Sequence, residues 1–496
     1  MLRAALSLLL GNLTAKLTGI LREVIFAALF GVNQVATAYR IAYSGFYIPI
    51  HGLVGETLST NVIPVFRRLD AEQAGVARSF VAVLIAHALG VGIAAAFAVW
   101  LWRASLVATI APGADEDAVL LAGRMLGIAV LAAPMYILGN ALASVEAARG
   151  RYSAVSLRPV LLNVFAIISA ASAWMLAEPL LLGFGILGGH ALFLFWTLAS
   201  THQMGLLSWA RDDFRAERLL TSSRALWRNS APLLLFPAVS QLAILVERIV
   251  ASKIGSSVLP SSDYARAIAE TLVTMSAVPL SFASLASHGG GRTEDGRNSA
   301  IKASSMLVLF AFPAGFWLSV SATEVVQIAF ARGAFGAEAV KLTSQVLSGI
   351  APGLGPWVVG YYLVRVLNAE LRNGIATAIT TFGCIVMMLF DSLAWPHFGP
   401  LTIGLGATLS ALTIFVGAMF ALGLWHVHAR LLLIVLIAGV GFVLMFRMLD
   451  PLIPGYALVT SSLLAAVFFC GTLLDRSASS AVQPIARQLT LFWRKK

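Results

Sequence analysis

Residues 79–102 read SFVAVLIAHALGVGIAAAFAVWLW, an unbroken run without a single Asp, Glu, Lys or Arg. A helix rises about 1.5 Å per residue and the hydrocarbon core of a bilayer is about 30 Å thick, so about 20 such residues cross it. Working outward, comparable runs occupy residues 4–31, 35–66, 118–145, 159–177, 180–207, 231–255, 264–287, 301–322, 338–366, 374–395, 400–425, 430–449 and 455–474. The chain of 496 residues is 59% hydrophobic and 11% charged, whereas an ordinary soluble domain is about a quarter charged. The reading is an all-α membrane protein of about 14 transmembrane helices. Met1–Gly11 resembles the start of a signal peptide, but Lys16, Arg22 and Glu23 interrupt it, and it is kept as part of helix one.

The net charge of +11 would suggest a nucleic-acid partner in a soluble protein. Here the basic residues fall in short gaps between apolar runs and act as topology signals, so nucleic acid is excluded. Placing the N-terminus in the cytoplasm puts Arg67, Arg68, Arg78, Arg149, Arg151, Arg158, Arg211, Arg215, Arg292 and Arg297 in inside loops. The acidic loop APGADED, 111–117, falls on the opposite side. Both termini are then cytoplasmic. Cys384 and Cys470 sit far apart in apolar runs and indicate neither a disulfide framework nor a metal cluster.

Internal echoes describe the build. PGADEDAVLLAGRML (112–126) is echoed by GAFGAEAVKLTSQVL (333–347), EAARG (146–150) by NAELRNG (368–374), and REVIFAALFG (22–31) by VERIVASKIG (246–255). The shifts are near 222 residues, an interval holding six helices, and an even number preserves orientation. The expectation is two six-helix parallel-repeat lobes around a central cavity, with two further C-terminal helices. The boundaries are an N-lobe at 1–207, a cytoplasmic linker at 208–230, a C-lobe at 231–425, helices 13 and 14 at 426–475, and a basic tail at 476–496.

Ionisable groups inside a membrane are expensive and mark pathways. They gather on the first two helices of each half: Lys16, Arg22, Glu23, Arg40, His51 and Glu56, then Glu247, Arg248, Lys253, Arg266 and Glu270. Lys16, Arg22, His51 and Arg266 give a cationic lining suited to an anion such as a pyrophosphate. For Arg40 and Lys253, local pairing or snorkelling to the surface is an equal alternative. Gly45, Pro49, Gly52 and Gly55 add bending or close-packing points to helix two. Glu247 and Asp391 fall at similar depth in the outer half, as would suit a sodium ion or a shared proton, although Asp391 is also placed to reach interfacial water. No phosphate loop, metal-spaced His and Cys set or nucleophile elbow occurs, and no extramembrane segment is long enough for a catalytic domain, so the chain is not read as an enzyme.

The runs LTGILREVIFAALFG (17–31), GETLSTNVIPVF (55–66), IAPG (110–113) and VERIVASKIG (246–255) resemble, in the same order, the MurJ (MviN) lipid II flippases of the multidrug/oligosaccharidyl-lipid/polysaccharide exporter superfamily. The resemblance implies a multi-pass protein of the bacterial inner membrane. It implies alternating access that carries an undecaprenyl-pyrophosphate-linked glycan outward, either lipid II or an exopolysaccharide or O-antigen repeat unit, alongside cell-wall or polysaccharide assembly proteins. By position, Arg22 matches an essential cavity arginine, Glu23 an adjacent aspartate and Lys16 a second arginine. Thr37, Ile50 (beside His51) and Ala267 (beside Arg266) stand where the family carries an aspartate and two arginines. Glu247 and Asp391 match acids of the family's sodium site, and Met387 replaces its asparagine. No cofactor is implied beyond Na+ or H+ as coupling ion. The alternative is a cation-coupled multidrug extruder of the same superfamily.

Overall fold

The computed structural model describes residues 2–72, 74–228, 235–287, 294–450 and 457–472. The expected basic tail, 476–496, and the last two positions of the expected linker lie outside the described residues. The described residues form helices joined by short turns, with no strand among them. Two compact units divide the chain: Met1–Pro260 with Arg332–Gly336, and Ser261–Ala331 with Ala337–Lys496.

The first unit holds α1 (Leu2–Phe30), α2 (Gln34–Glu72), α3 (Ala74–Leu101), α4 (Arg103–Ile110), α5 (Glu116–Ala129), α6 (Ala133–Ala148), α7 (Ser153–Met175), α8 (Leu181–Gln203), α9 (Ala216–Arg228) and α10 (Leu235–Ile254). α11 (Val258–Ser287) belongs to the second from Ser261 onward, followed by α12 (Glu294–Val320), α13 (Ala322–Phe330), α14 (Ala337–Ile350), α15 (Leu354–Ala369), α16 (Asn373–Phe398), α17 (Leu401–Ala421), α18 (Trp425–Leu449) and α19 (Ala457–Thr472). Among the described residues, nine helical stretches are long and apolar enough to cross a membrane. α1, α2, α10 and α11, which carry the ionisable groups, fall outside that set. On α3 the exposed side chains Ile93, Phe97 and Trp100 form an apolar stripe at helical spacing, the mark of a face turned to lipid rather than water.

One local pattern occurs twice. α5 ends at Ala129, a 3-10 turn spans Val130–Ala132, and α6 takes over at Ala133; α14 ends at Ile350, a 3-10 turn spans Ala351–Gly353, and α15 takes over at Leu354. Each boundary lies 221 residues beyond its counterpart. Both junctions carry a proline, Pro134 and Pro352, whose missing N–H and bulky ring interrupt a regular α-helix. Not every proline does so: α2 continues through Pro49 and Pro64.

Close approach of helices relies on residues without side chains. In the second unit Gly349 of α14 and Gly404 of α17 meet so tightly that a β-carbon on either would strike the other helix's backbone. Two seams in the first unit follow the same rule. Gly113, in the acidic loop, lies against the Ser252 carbonyl and Lys253 at the end of α10, and its N–H donates to Ser252 Oγ at 3.3 Å. Gly333, with φ +59°, lies against the Ala28 carbonyl at the end of α1, and Gly31, with φ +54°, against the Ala334 carbonyl. The two seams correspond: each places the loop quoted from one half of the sequence on the helix end quoted from the other half.

Candidate anion site

The first unit builds its charged centre from α1 and α2. Arg22 and Glu23 are neighbours in the last third of α1, and Arg40 reaches Glu23 from α2. Glu23 is 3% exposed and Arg40 7% exposed, so both are withdrawn from solvent. Arg40 therefore does not snorkel: its guanidinium pairs with Glu23 Oε2 and lies 5.1 Å from the centre of the Phe26 ring. Breaking such a buried pair costs about 3–5 kcal/mol, because one charge is left uncompensated in a low-dielectric interior. Lys253, by contrast, is exposed.

Arg22 differs from Arg40 in being only partly covered, with 30% of its side chain exposed. Its Nε donates to Glu23 Oε1 at 3.1 Å and its Nη1 to Asn163 Oδ1, on α7, at 3.0 Å. Asn163 Nδ2 in turn donates to the Ala15 carbonyl and Thr18 Oγ1 on α1, each at 3.2 Å. Arg22 is thus oriented from two sides. One carboxylate shared by two guanidinium groups leaves one positive charge in excess, so the centre attracts an anion.

Arg22 lines a cavity of about 190 Å³ inside the first unit. Tyr39, Tyr43 and Tyr47 of α2, Tyr136 of α6, Arg158 of α7 and His190 of α8 line it as well. Arg158 is no inside-loop residue, as sequence reading had it: it sits in the second turn of α7, donates to Asn140 Oδ1, and lies 5.7 Å from the Tyr136 ring centre. The tyrosines recur every fourth residue, so they share one face of α2. Their rings follow one another at 6.2 Å (Tyr39 to Tyr43) and 5.7 Å (Tyr43 to Tyr47), and His51 continues the row at 4.6 Å. His51 Nδ1 and the Tyr136 hydroxyl are 2.7 Å apart. Sequence reading singled out Arg22, Glu23 and His51, gave Arg158 only a topology role, and passed over Tyr43, Tyr47, Tyr136, Asn163 and His190. The fourfold spacing of Tyr39, Tyr43, Tyr47 and His51 was the available signal.

Lys16 is half-buried one and a half turns before Arg22 on α1. Arg266, half-buried on α11, and Asp391, fully buried on α16, belong to the second unit, whereas Glu247 is buried on α10 in the first. Asp391 packs against Gly406 of α17, where a β-carbon would run into its carboxylate. Among the described residues no three His, Cys, Asp or Glu side chains converge as a metal set.

The profile of the family described as lipid II flippase MurJ matches residues 26–474. The chain belongs to that family. A probable lipid II flippase MurJ of Synechocystis is 26% identical over 458 residues, covering 85% of this chain and 80% of the relative. The lipid II flippase MurJ of Burkholderia cenocepacia is 25% identical over 438 residues, 84% of this chain and 83% of its own. A solved lipid II flippase MurJ in an inward closed conformation superposes with a TM-score of 0.80 at 16% identity, over 97% of this chain and 99% of that one. A multidrug resistance transporter of the MATE family in an inward-facing conformation gives 0.66 at 14% identity, over 84% and 95% of the two chains. MurJ-family membership makes this a multi-pass membrane transporter rather than an enzyme.

Proposed function

We propose that the chain moves a polyprenyl-diphosphate-linked saccharide across the bacterial inner membrane by alternating access. The observation that carries this reading is Arg22: a cation with a guanidinium fork, held by Glu23 and Asn163, lining a cavity that no acid lines among the described residues. A diphosphate presents the paired oxygens that such a fork binds. Family membership supports a lipid-linked cargo, since the curated relatives carry the name lipid II flippase. The glycan is lipid II or a surface-polysaccharide repeat unit, handed on to cell-wall or polysaccharide assembly proteins. A multidrug extruder, for which a cationic drug would want an acid on the wall, fits this lining less well.

In this reading the fourteen apolar runs are fourteen spans with both termini in the cytoplasm. The recurrence of the interrupted helix pair 221 residues apart supports two parallel six-helix repeats. Lys16, His51 and Arg266 extend the cationic path. Glu247 and Asp391, each buried, supply oxygen ligands or a proton site for coupling to Na+ or H+.

The test is complementation of a strain depleted of its own flippase, with protein abundance in the membrane followed in parallel. Arg22→Ala is expected to abolish flipping while the protein remains inserted, and Arg22→Lys to restore it only in part. Normal flipping by Arg22→Ala would overturn the assignment. Neutralising Glu247 or Asp391 is expected to remove any response of transport to a sodium or proton gradient, and an unchanged response in the double variant would make both acids structural.

A further inference from the structure

The cavity beside Arg22 is chemically uneven. At the Arg22 end the groups offered to a ligand are donors, which suits the oxygens of a diphosphate, since these only accept. At the other end stand phenols and one imidazole, that of His190. His190 is buried, and its Nδ1 lies 2.8 Å from the Ile186 carbonyl, so Nδ1 carries the proton and Nε2 is left as an acceptor. A diphosphate has no proton to give that nitrogen. A sugar hydroxyl does, and it accepts as readily as it donates. Tyr43, Tyr47 and Tyr136 have the same double capacity, and Arg158, held by the neutral Asn140 amide and the Tyr136 ring rather than by an acid, adds a donor.

Size points the same way. A volume of about 190 Å³ is that of about six water molecules. It is comparable to one pyranose ring and far below a whole oligosaccharide. Aromatic walls with a few placed polar groups are the common form of a small-molecule site, and the stacked tyrosine row supplies them along α2.

We infer that this cavity inside the first unit binds the sugar ring attached to the diphosphate, with Tyr43, Tyr47, Arg158 and His190 reading its hydroxyls while Arg22 holds the diphosphate. The inference rests on the flippase reading and deepens it: the first sugar, not the lipid tail, is what the first unit selects.

The experiment measures equilibrium binding of two lipids to the full chain in nanodiscs, undecaprenyl diphosphate and the same lipid bearing one N-acetylhexosamine. Arg158→Gln, His190→Gln and Tyr43→Phe are expected to weaken the sugar-bearing lipid about tenfold each and to change the bare diphosphate lipid less than about twofold, as for lost hydrogen bonds to the ring alone. Arg22→Gln is expected to weaken both lipids. A residue that only supports the fold would shift both lipids together, so the ratio separates recognition from damage. Equal loss for both lipids, or loss for neither, in the Arg158, His190 and Tyr43 variants overturns the sugar site and leaves the flippase reading standing. If the unmodified protein binds neither lipid, both readings fall.

Discussion

The backbone N–H of Ala334 donates to the carbonyl of Ala28 at 2.8 Å, although 306 positions separate them. Gly31 and Gly333 flank this bond, and both adopt the left-handed backbone conformation that tolerates no side chain comfortably. Gly113 lies equally close to the Ser252 carbonyl, but its N–H donates to the Ser252 hydroxyl. The Ala334–Ala28 contact is backbone against backbone, so it is indifferent to which side chains surround it and sensitive to any atom added between.

Gly333→Val is therefore expected to cost about 2–4 kcal/mol, combining a strained φ with a clash against the Ala28 carbonyl. Gly336→Ala, a glycine with nothing near its missing β-carbon, is expected to be neutral. Thermal unfolding of the two purified variants in detergent decides it: equal melting temperatures would show that the seam contributes nothing.

Glu23 and Arg22 predict unequal costs. Removing Glu23 strands the buried Arg40, so Glu23→Ala is expected to destabilise by about 3 kcal/mol. Arg22→Ala removes a partly exposed group and is expected to cost about 1 kcal/mol or less while eliminating transport. A flipping assay run beside the unfolding measurement separates the two losses. Comparable stability in both variants would contradict the burial argument.

Outside the spans, Asp213 anchors the segment before α9. Burial alone would raise its pKa, but the Arg78 guanidinium 2.7 Å away, the Ala210 N–H at 2.9 Å and the nearby Arg218 outweigh that and hold it below its ordinary 3.8. A carboxylate with a depressed folded-state pKa stabilises above its unfolded pKa, and that contribution fades as pH falls through the folded value. Asp213→Asn should thus melt earlier than the unmodified protein at neutral pH, with the gap closing only below pH 3.8. A gap that stays constant from neutral pH into strong acid would remove the ionic explanation.

Gly406 is expected to report on Asp391. A methyl group there enters the space of the carboxylate, so Gly406→Ala should reproduce the effect of Asp391→Asn on ion-driven transport. Gly374→Ala, on the same helix as Asp391 but with open space around it, is the matching control. Transport by Gly406→Ala that keeps its full ion response would mean Asp391 needs no fixed placement.

Much of the fold was legible because membrane spans obey one rule, length of apolar run; the echo of 112–126 at 333–347 falls on the helix pair that recurs, although the break inside each pair was read as one continuous span. Arg22 and Glu23 were legible because charge in an apolar run is costly wherever it occurs. Arg158 was not: it lies at the edge of its run, where sequence alone reads a topology signal, and only the turn of α7 shows it facing Tyr136. Tyr43, Tyr136 and His190 carry no net charge and so no hydropathy alarm. Asn163 gains its role only from the packing of α7 on α1, which no local spacing reveals.

Glu23 sits between Arg22 and Arg40 as a resident counter-anion, and guanidinium groups keep their protons at every pH a cell reaches. An anion held by Arg22 is consequently never released by titrating its host. Letting go has to be a competition for the same N–H groups, won by the tethered carboxylate of Glu23 once the cargo's other contacts loosen. The residence time of the cargo would then be set by how firmly Glu23 holds Arg22, so shortening that acid to aspartate should retune the dwell time before the number of molecules carried.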